Sequence, residues 1–313
     1  MSYQKTQTDW APYECDRDAL GGDDLGAWLE RTGESAFAQL LTDRKAIVFR
    51  GFEIAPQDVN GIFDLILPRR LAYVHGNTPR TKVGANLYTS TEYPSEFTIS
   101  MHGEMSYANS WPARLAFYCE KASEMGGATP VVDSRLWLQS LDSDVREAFA
   151  GGLLYYQNLH DGFGLGKSWQ DTFETDVRAE VDEFLAGTDA EWDWGDGVLR
   201  IKQRRAATVE HPQTGDEVWF NQADQWHPAG LDDETAAEMC EILEEDELPQ
   251  NVTFADGQPI PADVIQHVRE RGLAAAVDVE WRPGDVLVVD NVAVAHGRRP
   301  YAGERRVLVA MCD

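Results

Sequence analysis

Pro283-Gly-Asp-Val-Leu-Val-Val-Asp-Asn-Val-Ala-Val-Ala-His296 is the stretch on which the fold reading rests. Pro283-Gly284-Asp285 has the composition of a tight turn, and Val286 to Asp290 is a short β-branched apolar run bounded by turn residues. Such a run is too short for a helix and suits a strand buried on both faces. Working outward, Ala276 to Trp281 and Arg306 to Met311 read as strands on either side of it. Further upstream, Ala46 to Arg50, Arg114 to Cys119, Thr129 to Val132, Gly152 to Leu159, Gly197 to Gln203 and Ala206 to Asn221 carry the same signature, the last folding as a hairpin around Pro212 to Gly215. Helical spacing marks Asp23 to Leu41 (interrupted near Gly33), Pro56 to Leu67, Leu136 to Ala150, Asp171 to Leu185, the acidic Asp232 to Glu245, and Pro261 to Leu273. Many short strands with a few flanking helices predict a mainly β fold of sandwich or jelly-roll type, and no glycine-rich nucleotide fingerprint stands at a strand-to-helix turn.

The 313 residues show no repeat or linker, so the whole chain, 1–313, is read as one domain. Lys and Arg total 27 against 54 Asp and Glu, a net charge of −27 that repels nucleic acid and anionic lipid. No apolar run approaches the roughly 20 residues a membrane helix needs, and Met1 to Leu20 lacks the pattern of a secretory signal; a cytoplasmic protein is expected. The cysteines Cys15, Cys119, Cys240 and Cys312 have no metal-binding spacing and read as reduced thiols, with Cys312 an incidental exposed one.

Chemistry enters at His102-Gly103-Glu104. On a strand, residues i and i+2 share a face, so both side chains could reach one ion. By itself the pattern carries nothing: with 7 histidines and 54 acids in 313 residues, about one His-x-acid match arises by chance. His296, following the turn at Asp290-Asn291, supplies the second imidazole. Two imidazoles and one carboxylate form the facial triad that suits non-haem Fe(II) and leaves three positions open. Arg298, Arg299, Arg305 and Arg306 then crowd into nine residues of a strongly acidic chain. Fe(II), Glu104 and a chelating α-keto carboxylate make a neutral centre, so the far carboxylate of 2-oxoglutarate needs its own cation, and Arg offers a bidentate fork.

The order His-x-Glu, Gly126-Gly-x-Thr129, Gly284-Asp-x4-Asp-Asn291, His296, Arg305-Arg306 resembles the taurine dioxygenase-like (TauD/TfdA) family. Ser90-Thr-Glu-Tyr-Pro94, His102 to Tyr107, Gly126 to Ser134, Arg50-Gly-Phe52 and Trp219-Phe-Asn-Gln222 are similar to its syringomycin-biosynthesis hydroxylase-like (SyrP-like) branch. The resemblance spans Ala46 to Met311 and implies a double-stranded β-helix, a form of jelly roll. It implies iron ligation by His102, Glu104 and His296, and anchoring of 2-oxoglutarate by Thr129 and Arg306, with Arg305 the neighbour a one-residue shift would exchange for it. It further implies consumption of 2-oxoglutarate and O2, and hydroxylation of an unactivated C–H in an amino-acid-like substrate, free or tethered to a carrier protein, as in antibiotic biosynthesis. Glu104 stands where the wider family has Asp; its carboxylate argues against halogenation, since related halogenases lack it. Desaturation, epoxidation or cyclisation share the same iron chemistry. Glu92 reads either as the receiver of a substrate ammonium or as an exposed loop carboxylate, and Tyr107, Asn221 and His227 either line the cavity or are satisfied structural polar groups. Two other classes are a zinc hydrolase built on the same ligands and a non-catalytic jelly-roll binding protein; neither needs the Gly-Gly-x-Thr and Arg-Arg elements.

Overall fold

Val286–Asp290 lies third in a seven-stranded sheet of order Tyr13–Asp16, Ala46–Arg50, Val286–Asp290, Arg114–Lys121, Arg306–Cys312, Leu87–Thr89, Lys82–Gly84. The first pair is parallel and the others antiparallel. This computed structural model describes residues 10–72, 80–91, 93–162, 166–230, 241–244 and 246–313. A continuous apolar run is needed at 286–290 because both faces of the sheet are covered. Val286 and Val288 pack on Leu25, Phe37 and Phe63 from the N-terminal helices, whereas Leu287 and Val289 face the interior with Leu115, Phe117 and Val309.

The interior is closed by a four-stranded sheet of order Val277–Val279, Thr129–Asp133, Val294–Arg298, Ile99–His102. Val131, Val279 and Val294 from this sheet join the same core cluster as Leu287 and Val289 from the first. Two facing sheets, antiparallel apart from the pairing of Tyr13–Asp16 with Ala46–Arg50, around one core are the expected jelly roll. A third sheet, Glu191–Gly195, Val198–Arg205, Leu153–His160, Gln250–Phe254, is added outside this pair.

Several expectations need adjustment. The helix read over Asp171 to Leu185 is two, Trp169–Phe173 and Arg178–Ala186, because Glu174 takes a left-handed conformation at φ 53°. Leu136 to Ala150 is likewise split into Ser134–Ser140 and Ser143–Phe149. Cys312 is buried at the end of an inner strand, not exposed, while Cys15 and Cys119 are buried free thiols as expected. Cys240 and nearly all of the acidic helix expected over Asp232 to Glu245 lie outside the described residues.

Candidate metal centre

His296 and His102 are register partners on adjacent antiparallel strands, with ring centroids 4.4 Å apart. Glu104 reaches the same point by a different route from the one expected. The strand Ile99–His102 ends at His102, and Glu104 sits in the turn beyond it, where Met105 adopts φ 57°. The two-residue alternation therefore explains His102 and not Glu104. One donor atom from each of His102, Glu104 and His296 lies within 4.8 Å of the others, and all three residues are buried.

The turn that presents Glu104 is held by residues far away in sequence. Asn291 Oδ1 accepts from the Glu104 backbone N–H at 2.7 Å, and its Nδ2 donates to Glu104 O at 3.0 Å and Pro112 O at 2.8 Å. Gln222 Nε2 donates to Gly103 O at 2.9 Å. Gly103 has to lack a side chain: a Cβ there would lie 2.4 Å from Cε2 of Phe220. Asp290 caps the same corner, accepting from the backbone N–H groups of Val292 and Ala293 and lying 3.0 Å from His211 Nε2. His211 Nδ1 accepts from the backbone N–H groups of Gln213 and Thr214, which leaves the proton on Nε2 to donate to Asp290.

His102 Nδ1 lies 3.0 Å from Ser100 O, with the Gln225 amide 2.9 Å away. With Nδ1–H donated to that carbonyl, the Nε2 lone pair is bare, the form a metal ligand requires. Burial holds the His102 pKa below its ordinary value, opposed in part by Glu104; burial, then His102 and Arg80, holds that of His296 well below. Both imidazoles are therefore neutral at physiological pH. His296 Nε2 faces Glu104 Oε2 at 3.8 Å, and its buried Nδ1 has no hydrogen-bond partner among the described residues. Two neutral imidazoles and a carboxylate converging without protons between them fit a divalent transition metal, and the two-nitrogen, one-oxygen set fits Fe(II).

Around this point is a cleft partly open to solvent, whose walls include Arg80, Thr129, Phe117, Arg298 and Arg305. Thr129 Oγ1 accepts from Trp281 Nε1 at 3.0 Å, so its own hydroxyl hydrogen is left for the cleft. Of the four C-terminal arginines, two face outward: Arg299 pairs with Asp278 at 2.8 Å, and Arg306 pairs with Glu120. Arg306 therefore does not reach the cleft; Arg305 does. Val307, Val309 and Met311 point into the core, and Arg305, which precedes the strand Arg306–Cys312, lines the cleft beside Val307. Arg305 donates to Gly127 O at 3.0 Å and Ser90 Oγ at 3.2 Å, and burial, with Arg298 nearby, pulls its pKa down to about 10, still cationic at neutral pH. Gly127, at φ 76°, gives it room: a Cβ there would meet Arg305 Cδ at 3.1 Å. Arg298 is buried and donates to the carbonyls of Tyr93, Pro94 and Phe97.

The expected substrate residues fare differently. Tyr107 is packed on Trp226 in a core cluster, and Asn221 donates to Ala207 O and accepts from Ala223 N; neither is among the residues that line the cleft. His227 accepts from Ala229 N through Nδ1 and does not line the cleft. Glu92 lies outside the described residues. Sequence reading did not pick out Arg80, whose Nη2 lies 2.7 Å from Glu104 Oε2 with both side chains buried. No sequence motif marks it, since the partner is 24 residues away across the cleft.

The profile of the taurine catabolism dioxygenase TauD, TfdA family matches residues 10–312. The dapdiamide synthesis protein DdaC of Enterobacter agglomerans is 34% identical over 278 residues, covering 88% of this chain and 84% of its own. A clavaminate synthase-like protein of Arabidopsis thaliana is 31% identical over 293 residues, covering 90% and 86%. Among solved structures, AAD-2 in complex with Mn(II) and N-oxalylglycine superimposes with a TM-score of 0.53 over 98% of this chain and 95% of its own, at 13% identity, a likeness of fold.

Proposed function

The chain belongs to the TauD/TfdA family, and from that membership we propose how its cleft works and what it acts on. It is an Fe(II)- and 2-oxoglutarate-dependent oxygenase of specialised metabolism. The extent of the family match, residues 10–312, supports reading the chain as one catalytic domain. In our reading His102, Glu104 and His296 hold the iron; the convergence of the three donors, with both histidines lining an arginine-walled cleft, is the observation that carries it. When bound, Fe(II) supplies the activation of O2 that couples oxidative decarboxylation of 2-oxoglutarate, to succinate and CO2, with oxidation of the substrate.

The protein residues do the rest. Arg305 takes the distal carboxylate of 2-oxoglutarate through its guanidinium fork, and the Thr129 hydroxyl donates to the same group. Arg306, committed to Glu120 on the outer face, has no part in this. Ser100 fixes the orientation of His102, and Asn291 that of Glu104, so the donor atoms are in place before a ligand arrives. Phe117 packs edge-on against His296 at 5.1 Å and keeps that wall of the cleft apolar.

The reaction we assign is hydroxylation of an unactivated C–H in an amino-acid-like small molecule. Glu104 occupies the position a halide would need, and the dapdiamide synthesis relative supports an amino-acid-derived substrate. The test is anaerobic loading with Fe(II) and 2-oxoglutarate, then addition of O2 with a panel of amino acids and derivatives, reading succinate. We expect substrate-stimulated succinate formation that Glu104→Ala abolishes. Absence of succinate with every panel member, together with metal-dependent hydrolysis of an ester or amide, would overturn the oxygenase assignment.

A further inference from the structure

The strand that carries His102 is gripped from outside the jelly roll by one segment, residues 220–226. Phe220 lies against Gly103, and Gln222 Nε2 donates to Gly103 O. Gln225, on the short helix Ala223–Trp226, reaches both Ser100 O and His102 Nδ1. Asp224, beside it, hydrogen-bonds the Ser100 side chain. The outer sheet holds this segment in turn: Tyr155 Oη accepts from Gln222 N at 2.9 Å, and Gln250 Nε2 donates to Gln225 O at 3.0 Å.

Three polar groups meet behind the His102 ring. Nδ1 is 3.0 Å from Ser100 O and 2.9 Å from the Gln225 amide nitrogen, which is itself 3.1 Å from Ser100 O. A backbone carbonyl only accepts, an imidazole nitrogen donates or accepts according to its tautomer, and an amide has a donor end and an acceptor end. If Nδ1 is bare, the Gln225 N–H donates to it, and the ring proton sits on Nε2, the atom a metal must take. If Nδ1 carries the proton, Nε2 is bare, but two N–H groups then oppose each other across 2.9 Å. A half-turn of the amide removes that opposition. Oε1 then faces Nδ1–H, which is shared between two acceptors, Oε1 and Ser100 O. Gln225 is half-buried, so the amide nitrogen that turns away meets water.

We propose that Gln225 is a positioning residue for the metal: by presenting Oε1 to Nδ1–H it selects the His102 tautomer whose Nε2 can bind. This rests on the reading of His102 as a metal ligand and adds what places that ligand's proton. Ser100 O alone does not decide it, because the carbonyl accepts equally well from the Gln225 amide or from the imidazole. An acceptor drawing on the Nδ1 proton also makes the imidazole a stronger donor to the metal. The outer sheet thereby has a role at a centre it does not touch. Through Tyr155 and Gln250 it sets where the amide stands, 123 residues along the chain from the ligand it orients.

Two measurements on the full chain test this in wild type, Gln225→Glu and Gln225→Met. The first substitution leaves only acceptors, and the second leaves a thioether of similar length that neither donates nor accepts strongly. Long-range proton–nitrogen NMR spectra of the metal-free protein, labelled with 15N-histidine, read the tautomer directly, and the His102 signals are identified by their loss in His102→Asn. Wild type and Gln225→Glu are expected to hold the proton on Nδ1, and the share on Nδ1 should fall about twofold or more in Gln225→Met. Mn(II) titration followed by EPR should show affinity about tenfold weaker in Gln225→Met and no weaker than wild type in Gln225→Glu. A residue that merely packed would shift the melting temperature and leave the tautomer unmoved.

An unchanged His102 tautomer in Gln225→Met, or a wild-type proton on Nε2, would overturn the proposal. So would Mn(II) affinity that falls in Gln225→Glu as it does in Gln225→Met, which would show that the amide serves through its nitrogen as a donor to Ser100 O. Failure of the oxygenase reading looks different. The visible charge-transfer band of wild type mixed anaerobically with Fe(II) and 2-oxoglutarate would then never form, while the tautomer and Mn(II) results would stand.

Discussion

Replacing Asn291 by alanine should cost both stability and metal affinity. The side chain is fully buried and makes three hydrogen bonds, two to the backbone of Glu104 and one to Pro112 O. Alanine would strand the Glu104 N–H and two carbonyls in a dry interior. At about 1–1.5 kcal/mol for each bond, the loss is about 3–5 kcal/mol, a large fraction of the roughly 5–15 kcal/mol that holds a typical domain. The same bonds set the path of the turn that carries Glu104, so Mn(II) affinity should fall about 10–100-fold, the usual range for losing a residue that orients a ligand. Urea unfolding at fixed pH gives the first quantity, provided the slope with denaturant is unchanged, and EPR titration gives the second. Destabilisation below about 1 kcal/mol with unaltered Mn(II) binding would refute the reasoning, since three buried polar groups cannot lose their partners so cheaply.

Arg305→Gln should weaken 2-oxoglutarate binding on the order of 100-fold while Arg306→Gln changes it less than about twofold, measured by calorimetry with Mn(II) present; equal losses would return Arg306 to the site. Gly103→Ala forces a methyl to within 2.4 Å of the Phe220 ring and should cost about 1–3 kcal/mol, read by thermal melting. Adding Phe220→Leu should recover part of that loss, and no recovery would point to backbone strain instead. Asp224 is buried, Oδ2 lacks a hydrogen-bond partner among the described residues, and burial pushes its pKa up to about 6. Because the folded form holds the proton more tightly than the unfolded chain, this group's contribution to stability is greatest at low pH and declines as pH rises towards about 6. Asp224→Asn should therefore stabilise the fold at about pH 8 by more than at about pH 4, by about 2 kcal/mol, in paired urea titrations. Equal effects at the two pH values would show that the carboxyl ionises freely in the fold.

The core was legible in the sequence because its signals are local. Val286–Asp290 needs only its own run of β-branched residues and the turn before it to be recognised as a doubly covered strand. The hairpin around Pro212 to Gly215 was equally readable: Thr208–Glu210 pairs with Glu217–Trp219. Helix breaks were less so, since the left-handed residue at Glu174 interrupts an otherwise sustained amphipathic pattern. At the site, residue types and order identified the two histidines and the glutamate, but the alternation argument gave the wrong reason for Glu104, which stands beyond the end of its strand. Tyr107 and Asn221 are polar residues near the ligands in sequence or motif; Tyr107 packs in a core cluster and Asn221 donates to Ala207 O, contacts that only the fold reveals.

What the amino-acid order determined alone is chemistry and local geometry: an acidic chain of short strands, two histidines with one glutamate, and a cluster of arginines after the last of them. Tertiary structure decided which arginine faces inward, which asparagine holds the Glu104 turn, and that Arg80 meets Glu104 at all. The physical reason is distance along the chain. Strand and turn propensities depend on neighbours a few residues away, whereas facing and pairing are set by partners such as Asn291 and Glu104, 187 residues apart, that meet only when two sheets close around a common core.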